Sequence, residues 1–227
     1  MSTAVSDTRV ARSADRILAL PGHARRRPRA ALAVVLGLAA VVYLASLGRS
    51  SMFIDEVFSW NASRHGLSGV GTAVRGAEVT PPLYYVLLHF WMALTGASGE
   101  VALRLPSALA GVGFVGAVAW LGTAVSDRRA GLTAGALAAL TPLTFQYAQE
   151  VRAYIFVMLA VTVTAAAVVR LSQEPERRRW LVIAATAGAV SILLHYTAAL
   201  VLAPVAIWLL RERQVPLRSR LAVTAAF

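Results

Sequence analysis

The chain contains no cysteine and no lysine. Without thiols there is no disulfide framework, no thiolate nucleophile and no Cys-based metal site. All 22 basic residues are arginine, and the sequence around them is rich in Ala, Val and Gly, as a GC-rich coding bias would produce. Arginine at any single position is therefore no sign that its forked geometry was selected. Charge is also missing from the long apolar runs. None lies between Arg104 and Asp127, between Arg129 and Glu150, or between Arg179 and Arg211. There is no HExxH motif and no internal repeat.

What is present is apolar surface. The 227 residues are 58% hydrophobic, with a mean hydropathy of +0.64. A soluble domain of this size cannot hide that much, so the class is integral membrane protein. A formal charge of +11 invites a nucleic-acid partner. The arginines, however, sit in short clusters between hydrophobic runs, where they act as topogenic signals. The start resembles a signal peptide, with Arg25, Arg26, Arg27 and Arg29 ahead of an apolar run from Ala30 to Leu47. That run is too long for a cleavable signal and further runs follow, which makes it a signal anchor. Residues 1–29 read as a disordered cytoplasmic tail.

The sequence predicts an all-α, polytopic membrane protein. Six complete spans are expected, at about 30–47, 101–125, 130–146, 153–171, 180–195 and 197–210, with a seventh beginning near Leu221. The stretch 180–210 is too long for one span and is basic at both ends, so it reads as two short helices turning at His195-Tyr196-Thr197. The segment 82–97 is ambiguous. If it crossed, Asp127-Arg128-Arg129 and Arg177–Arg179 would lie outside. If it lies along the outer interface, every arginine cluster falls inside, as the positive-inside rule demands. Pro81-Pro82, Tyr84, Tyr85, His89 and Trp91 suit a headgroup boundary, so 82–97 is predicted to be interfacial. The outer side then receives two segments, a loop over 48–100 and a second over about 146–153.

Asp55 and Glu56 lie just outside the first span in MFIDEVFSW, residues 52–60. Neighbouring side chains on a helix diverge, so the two carboxylates are expected to do different work. One would deprotonate a hydroxyl while the other binds a metal or orients a partner. A solvated acid pair is the plain alternative, which the flanking aromatics disfavour. YAQEVRAY (147–154) offers Arg152 for a phosphate with Glu150 in support, or an Arg–Glu pair in an interface belt. In RLPSAL (104–109), Pro106 fits a first helical turn, and Arg104 is expected to pair with an outer acid. His65, His89 and His195 are scattered, and a lone interfacial histidine is more often a satisfied polar group than a ligand. The sequon Asn61-Ala62-Ser63 is too common a pattern to carry weight.

Taken in order, these segments resemble the GT-C superfamily of membrane glycosyltransferases. The nearest branch is the protein O-mannosyltransferase and lipid A aminoarabinose transferase relatives. The resemblance rests on Asp55-Glu56, PPLYY (81–85), Glu100 with LRLPSAL (103–109), YAQEVRAY (147–154) and His195. It covers about residues 30–210. It implies an inverting transferase using a polyprenyl-phosphate-linked sugar, with a glycan, lipid or protein as acceptor, and an active site on the extracytoplasmic side of the cell membrane. Asp55 would activate the acceptor hydroxyl, and Glu56 is the second candidate catalytic acid. Arg152, Glu150, Tyr84, Tyr85, Arg104, Tyr154 and His195 are the candidates for substrate binding. Glu56 and Glu150 would hold a divalent metal where a relative uses one. No other cofactor and no nucleic acid is expected. Family members are usually longer, so residues 30–227 read as the N-terminal part of such a domain.

Two other classes remain at this stage. A transporter or flippase would place ionisable groups near the bilayer midplane and show repeats. A noncatalytic assembly subunit would need no outer acid pair. The arginine distribution gives a direct test of topology, and the absence of native cysteine makes it clean. A cysteine introduced by Asp127→Cys is expected to resist a membrane-impermeant thiol reagent added to intact cells. Labelling from outside would overturn the arrangement.

Overall fold

A computed structural model of the chain describes residues 23–76 and 80–227. The described residues form helices only: α1 His23–Ala45, α2 Ile54–Arg64, α3 Gly66–Gly76, α4 Leu83–Thr95, α5 Glu100–Val125, α6 Arg128–Leu140, α7 Pro142–Ala148, α8 Tyr154–Gln173, α9 Arg178–Leu194, α10 Ala198–Arg211 and α11 Leu217–Thr224. Residues 1–22 of the expected tail, and Glu78 of the first outer loop, lie outside the described residues. Residues 23–29, also read as tail, belong to α1.

Two described helices, α5 and α8, are long and apolar enough to cross a membrane. At 1.5 Å per residue, the 26 residues of α5 reach about 39 Å, more than the roughly 30 Å hydrocarbon core. Helix α5 is the centre of the bundle and packs on α1, α6, α7 and α8, while α8 packs in turn on α9. Small residues allow this closeness. A methyl group added at Gly131 of α6 would overlap Thr123 and the Ala119 carbonyl of α5, and one at Gly111 would come within 2.8 Å of Ala148 Cβ. Membrane helices associate through such contacts, because lipid supplies no hydrophobic drive between them. The outward faces stay apolar, with Leu38 and Val41 on α1, Leu137 and Leu140 on α6, and Leu200 and Ile207 on α10 all exposed.

Prolines shape the bundle at two points, and a third lies within a helix. The run 130–146, expected as one helix, is broken between α6 and α7 at Thr141-Pro142, since Pro142 offers no N–H to continue the ladder. The break leaves the Ala139 carbonyl without a helical donor, and it accepts a hydrogen bond from Tyr43 Oη of α1 at 3.1 Å. Pro106 lies in the second turn of α5 rather than the first, because the helix starts at Glu100. Its missing N–H would have bonded the Ala102 carbonyl, which instead accepts from Trp91 Nε1 of α4 at 2.9 Å. A proline in one helix thus ties the next apolar helix to it. The third proline, Pro204, lies inside α10.

Helix α4 matches the segment expected to lie along the interface. Its 13 residues extend about 20 Å, too short to span. One face buries Tyr84, Tyr85 and Leu88, while Leu87, Phe90 and Leu94 are exposed. It ends at Gly96, whose φ of 68° gives the left-handed cap that glycine adopts without penalty. The turn between α9 and α10 falls at His195-Tyr196-Thr197, as expected.

The two ends of the bundle differ. One end gathers Leu47–Ser51, α2, the start of α5, the 149–153 loop and, through ring contact with Tyr154, His195. At the other, Trp120 stacks near Trp180 at 5.8 Å, and Gln173 Nε2 bonds the Ala124 carbonyl near the end of α5. Arg128, Arg129 and Arg177–Arg179 flank these contacts.

Candidate functional site

The site is built around one buried ion pair. Arg104, in the first turns of α5, projects under the linker from α1 to α2 and meets Glu56. Its Nε bonds Glu56 Oε1 at 2.9 Å and its Nη2 bonds Oε2 at 2.7 Å, a two-pronged contact suited to the guanidinium fork. The remaining donors reach backbone carbonyls: Nη1 to Leu47 at 3.0 Å and Ser50 at 2.6 Å, and Nη2 to Ser51 at 3.3 Å. Both residues are 1% exposed. All five donors of Arg104 are used within the chain.

Glu56 is equally occupied. Its Oε1 also accepts the Val151 N–H at 2.9 Å, and Oε2 accepts the Phe53 N–H at 3.3 Å. The second contact is the reach-back of a third-position acid to the helix start. Glu56 therefore links α2, α5 and the 149–153 loop, and through Arg104 the linker from α1. Two sequence-based expectations change here. Arg104 does pair with an acid of the 48–100 segment, Glu56, but it keeps no donor for substrate. Glu56 has no open lone pair for a cation. Among the described residues no three His, Cys, Asp or Glu side chains come together as metal ligands.

Asp55 faces the other way. It sits in the first turn of α2, where the helix dipole favours an acid. It is exposed, and its carboxylate bonds no described side chain. One helical step of about 100° separates the two acids. The adjacency in the sequence thus becomes a division between a committed carboxylate and an open one.

The 149–153 loop supplies the rest. Glu150 is buried, its Oε1 accepting from Gln146 Nε2 at 2.9 Å and its carbonyl accepting from Ser107 Oγ of α5 at 2.6 Å. Burial holds the Glu150 carboxyl above its usual pKa. The Gln146 bond opposes this, the charges of Glu56 and Asp55 add to it, and Arg152 lowers it. Arg152 is buried too, with its guanidinium carbon 5.5 Å from the Tyr154 ring centre and Nη2 3.4 Å from the Tyr154 hydroxyl. Glu150 takes a side-chain hydrogen bond from Gln146. Tyr154 lies between Tyr147 at 5.0 Å and His195 at 5.9 Å, so a ring column joins the loop to the α9–α10 turn. His195 Nδ1 is 2.9 Å from Thr197 Oγ1.

Tyr84 and Tyr85 are buried against each other, with rings 5.8 Å apart, and against Phe156 and Phe58. Burial raises the Tyr84 phenol, while Ser107 and Arg152 nearby lower it. Tyr84 is thus beside the Ser107–Glu150–Arg152 group and remains a phenol at any ordinary pH. Sequence reasoning did not find the Leu47, Ser50 and Ser51 carbonyls or the Val151 amide, because backbone groups carry no residue-type signal. Ser107 and Gln146 are visible only as polar residues in apolar surroundings.

Two outcomes follow from this geometry. Arg104→Gln leaves Glu56 buried without its charge partner, a loss of about 3–5 kcal/mol. The thermal unfolding midpoint of the purified protein should fall sharply, and adding Glu56→Gln should restore part of it. The second concerns pH. A carboxyl whose folded pKa is raised contributes stability that is complete below the unfolded pKa and is lost as pH rises through the folded value. Glu150→Gln keeps the acceptor for Gln146 but cannot ionise. It should unfold at a higher temperature than the parent at alkaline pH, and the difference should shrink on acidification.

Comparison with known proteins adds one match. The family model of the dolichyl-phosphate-mannose-protein mannosyltransferases aligns with residues 79–227, well over half of the chain. Asp55 and Glu56 precede the matched region, while Tyr84, Tyr85, Arg104, Glu150, Arg152, Tyr154 and His195 fall within it. No curated protein and no solved structure matches the chain. With a helical bundle holding two membrane-length apolar helices and a polar cluster at one end, the chain belongs to the dolichyl-phosphate-mannose-protein mannosyltransferase family of membrane glycosyltransferases.

Proposed function

We propose that the chain moves a sugar from a polyprenyl-phosphate carrier to an acceptor hydroxyl at the extracytoplasmic face of a membrane that it crosses six times. The family match supports glycosyl transfer. The sidedness is supported by the two unlike ends of the bundle, one holding the acids and aromatics and the other the arginine clusters. The shorter apolar helices, Arg29–Ala45 and Ala198–Arg211, together with α9 and the α6–α7 pair, serve as spans beside α5 and α8. Helix α4 lies in the interface.

The observation that carries the reading is the asymmetry of the acid pair. Glu56 is locked by Arg104, and this fixes α2 so that Asp55 stands open beside the loop holding Glu150 and Arg152. Asp55 takes the proton of the acceptor O–H. The acceptor oxygen attacks the anomeric carbon from the face opposite the phosphate. The bond from that carbon to the phosphate oxygen breaks, and its electron pair leaves with the polyprenyl phosphate. The product has inverted configuration. Arg152 meets the phosphate as its charge grows, with Tyr154 bracing the guanidinium. Glu150, whose carboxyl burial raises above its usual pKa, stands close by. The carrier's chain stays in lipid and only the sugar reaches polar space.

The test uses membranes containing the intact gene product, supplied with a polyprenyl-phosphate sugar and acceptor. Asp55→Asn should lower turnover by roughly 10²–10⁴-fold with little change in donor binding. Arg152→Ala should weaken donor binding more than tenfold, since each charge-assisted bond contributes about 1.5–3 kcal/mol. Near-normal turnover in Asp55→Asn would remove the base assignment. If Arg152→Ala and Glu150→Ala lose binding equally while both lose thermal stability, Arg152 serves the loop rather than the phosphate.

A further inference from the structure

The arginine-rich end of the bundle holds a feature that glycosyl transfer does not use. A cleft of about 250 Å³ opens between α1, α5 and α6, lined by Arg29 and Leu32 of α1, Gly116, Ala119, Trp120 and Thr123 of α5, and Arg128 and Leu132 of α6. Arg29 and Arg128 come from different helices and are both exposed. Neither has a carboxylate within ion-pair distance among the described residues, although the chain places Asp127 next to Arg128. Asp127 instead turns its Oδ1 to the Ala130 N–H at 2.8 Å, capping α6. Two like charges therefore line one cleft with no acid to balance them among the described residues. The rest of the lining is apolar apart from Thr123.

We propose that this cleft binds an anionic phospholipid through its phosphodiester. Two guanidiniums facing one opening can hold the non-bridging phosphate oxygens with paired, charge-assisted hydrogen bonds. The glycerol backbone and the start of an acyl chain then follow Leu32 and Leu132, with the Trp120 indole at the headgroup boundary, where such rings concentrate. Basic pockets between membrane helices on the cytoplasmic side have this chemistry. A free inorganic phosphate would satisfy the arginines but leave the apolar walls uncovered, which is why a lipid is the better occupant. The site lies at the opposite end of the bundle from Asp55 and does not depend on the proposed reaction.

The experiment is a titration of phosphatidylglycerol brominated on its acyl chains into the intact protein held in phosphatidylcholine nanodiscs. Quenching of tryptophan fluorescence is the readout. Saturable quenching is expected with the anionic lipid and not with brominated phosphatidylcholine, and most of it should vanish in Trp120→Phe. The double variant Arg29→Gln, Arg128→Gln should shift the midpoint by roughly tenfold or more, from the loss of two basic contacts. Arg177→Gln with Arg178→Gln, at the same end but outside the cleft, should leave the midpoint in place. Both cleft arginines are exposed, so the unfolding midpoint of the double variant should match the parent and verify its fold. Three results would overturn the proposal. One is an unshifted midpoint in the cleft variant, and the second is an equal shift in the control variant, which would mark a general basic surface. The third is displacement of the lipid by inorganic phosphate, which would mark a free-anion site.

Discussion

The contact between Arg104 and Glu56 organises everything at one end of this molecule. A buried ion pair is not in itself stabilising, since desolvation of both charges offsets their attraction unless the remaining hydrogen-bonding capacity is met. Here it is met in full. Five donors on one side and four accepted bonds on the other leave neither residue with an unused polar site. The result is a dry polar junction that fastens the end of α1, the start of α2, the first turns of α5 and the 149–153 loop at a single point. Such a junction specifies geometry more than it adds stability. Its effect is to hold an adjacent, open carboxylate at a fixed angle to a loop that bears a second acid and a buried arginine.

The apolar part of the fold depends on a different rule. With lipid outside and apolar helices inside, specificity falls to small residues and to backbone carbonyls that the helices cannot satisfy alone. Pro106 and the break at Pro142 each free a carbonyl, and each freed carbonyl is taken by a ring donor from another helix, Trp91 in one case and Tyr43 in the other. Gln149 adds a third tie by donating to the Tyr43 carbonyl at 2.8 Å. Defects in local helical structure thus become the points at which helices are joined.

Much of this was legible in the residues alone. Hydropathy and arginine spacing located α5, α8 and the turn at His195, because runs without charge and basic ends are strong one-dimensional signals. The arginine distribution and the aromatic content of 82–97 set that segment apart from the spans, and its helix, Leu83–Thr95, is too short to cross. Adjacency of Asp55 and Glu56 indicated that they would part company, but not which would be buried. That choice is made by Arg104, 48 positions after Glu56, and by backbone carbonyls that no residue letter reports. The same limit explains why Arg104 and Glu56 were placed among the substrate and metal groups. Charged residue types at an outer face suggest ligand contact until their partners are counted. The helix break at Pro142 was signalled by the proline itself, but a reading from hydropathy records burial and not backbone continuity, and took the run as one helix.

The linker between α1 and α2 carries one further implication. Three of its carbonyls, from Leu47, Ser50 and Ser51, end on the same guanidinium, and the helix that follows is pinned by Glu56. The number of residues from the first apolar helix to Asp55 is therefore not adjustable. Loops at a membrane surface usually tolerate insertions and deletions, but a single added residue here would have to be absorbed within a stretch anchored at three points. If it were not absorbed, α2 would turn by about 100° and bring a different side chain to the place of the open acid. In this segment length is as much a determinant as residue identity, and variation in relatives should appear as substitution rather than as gaps.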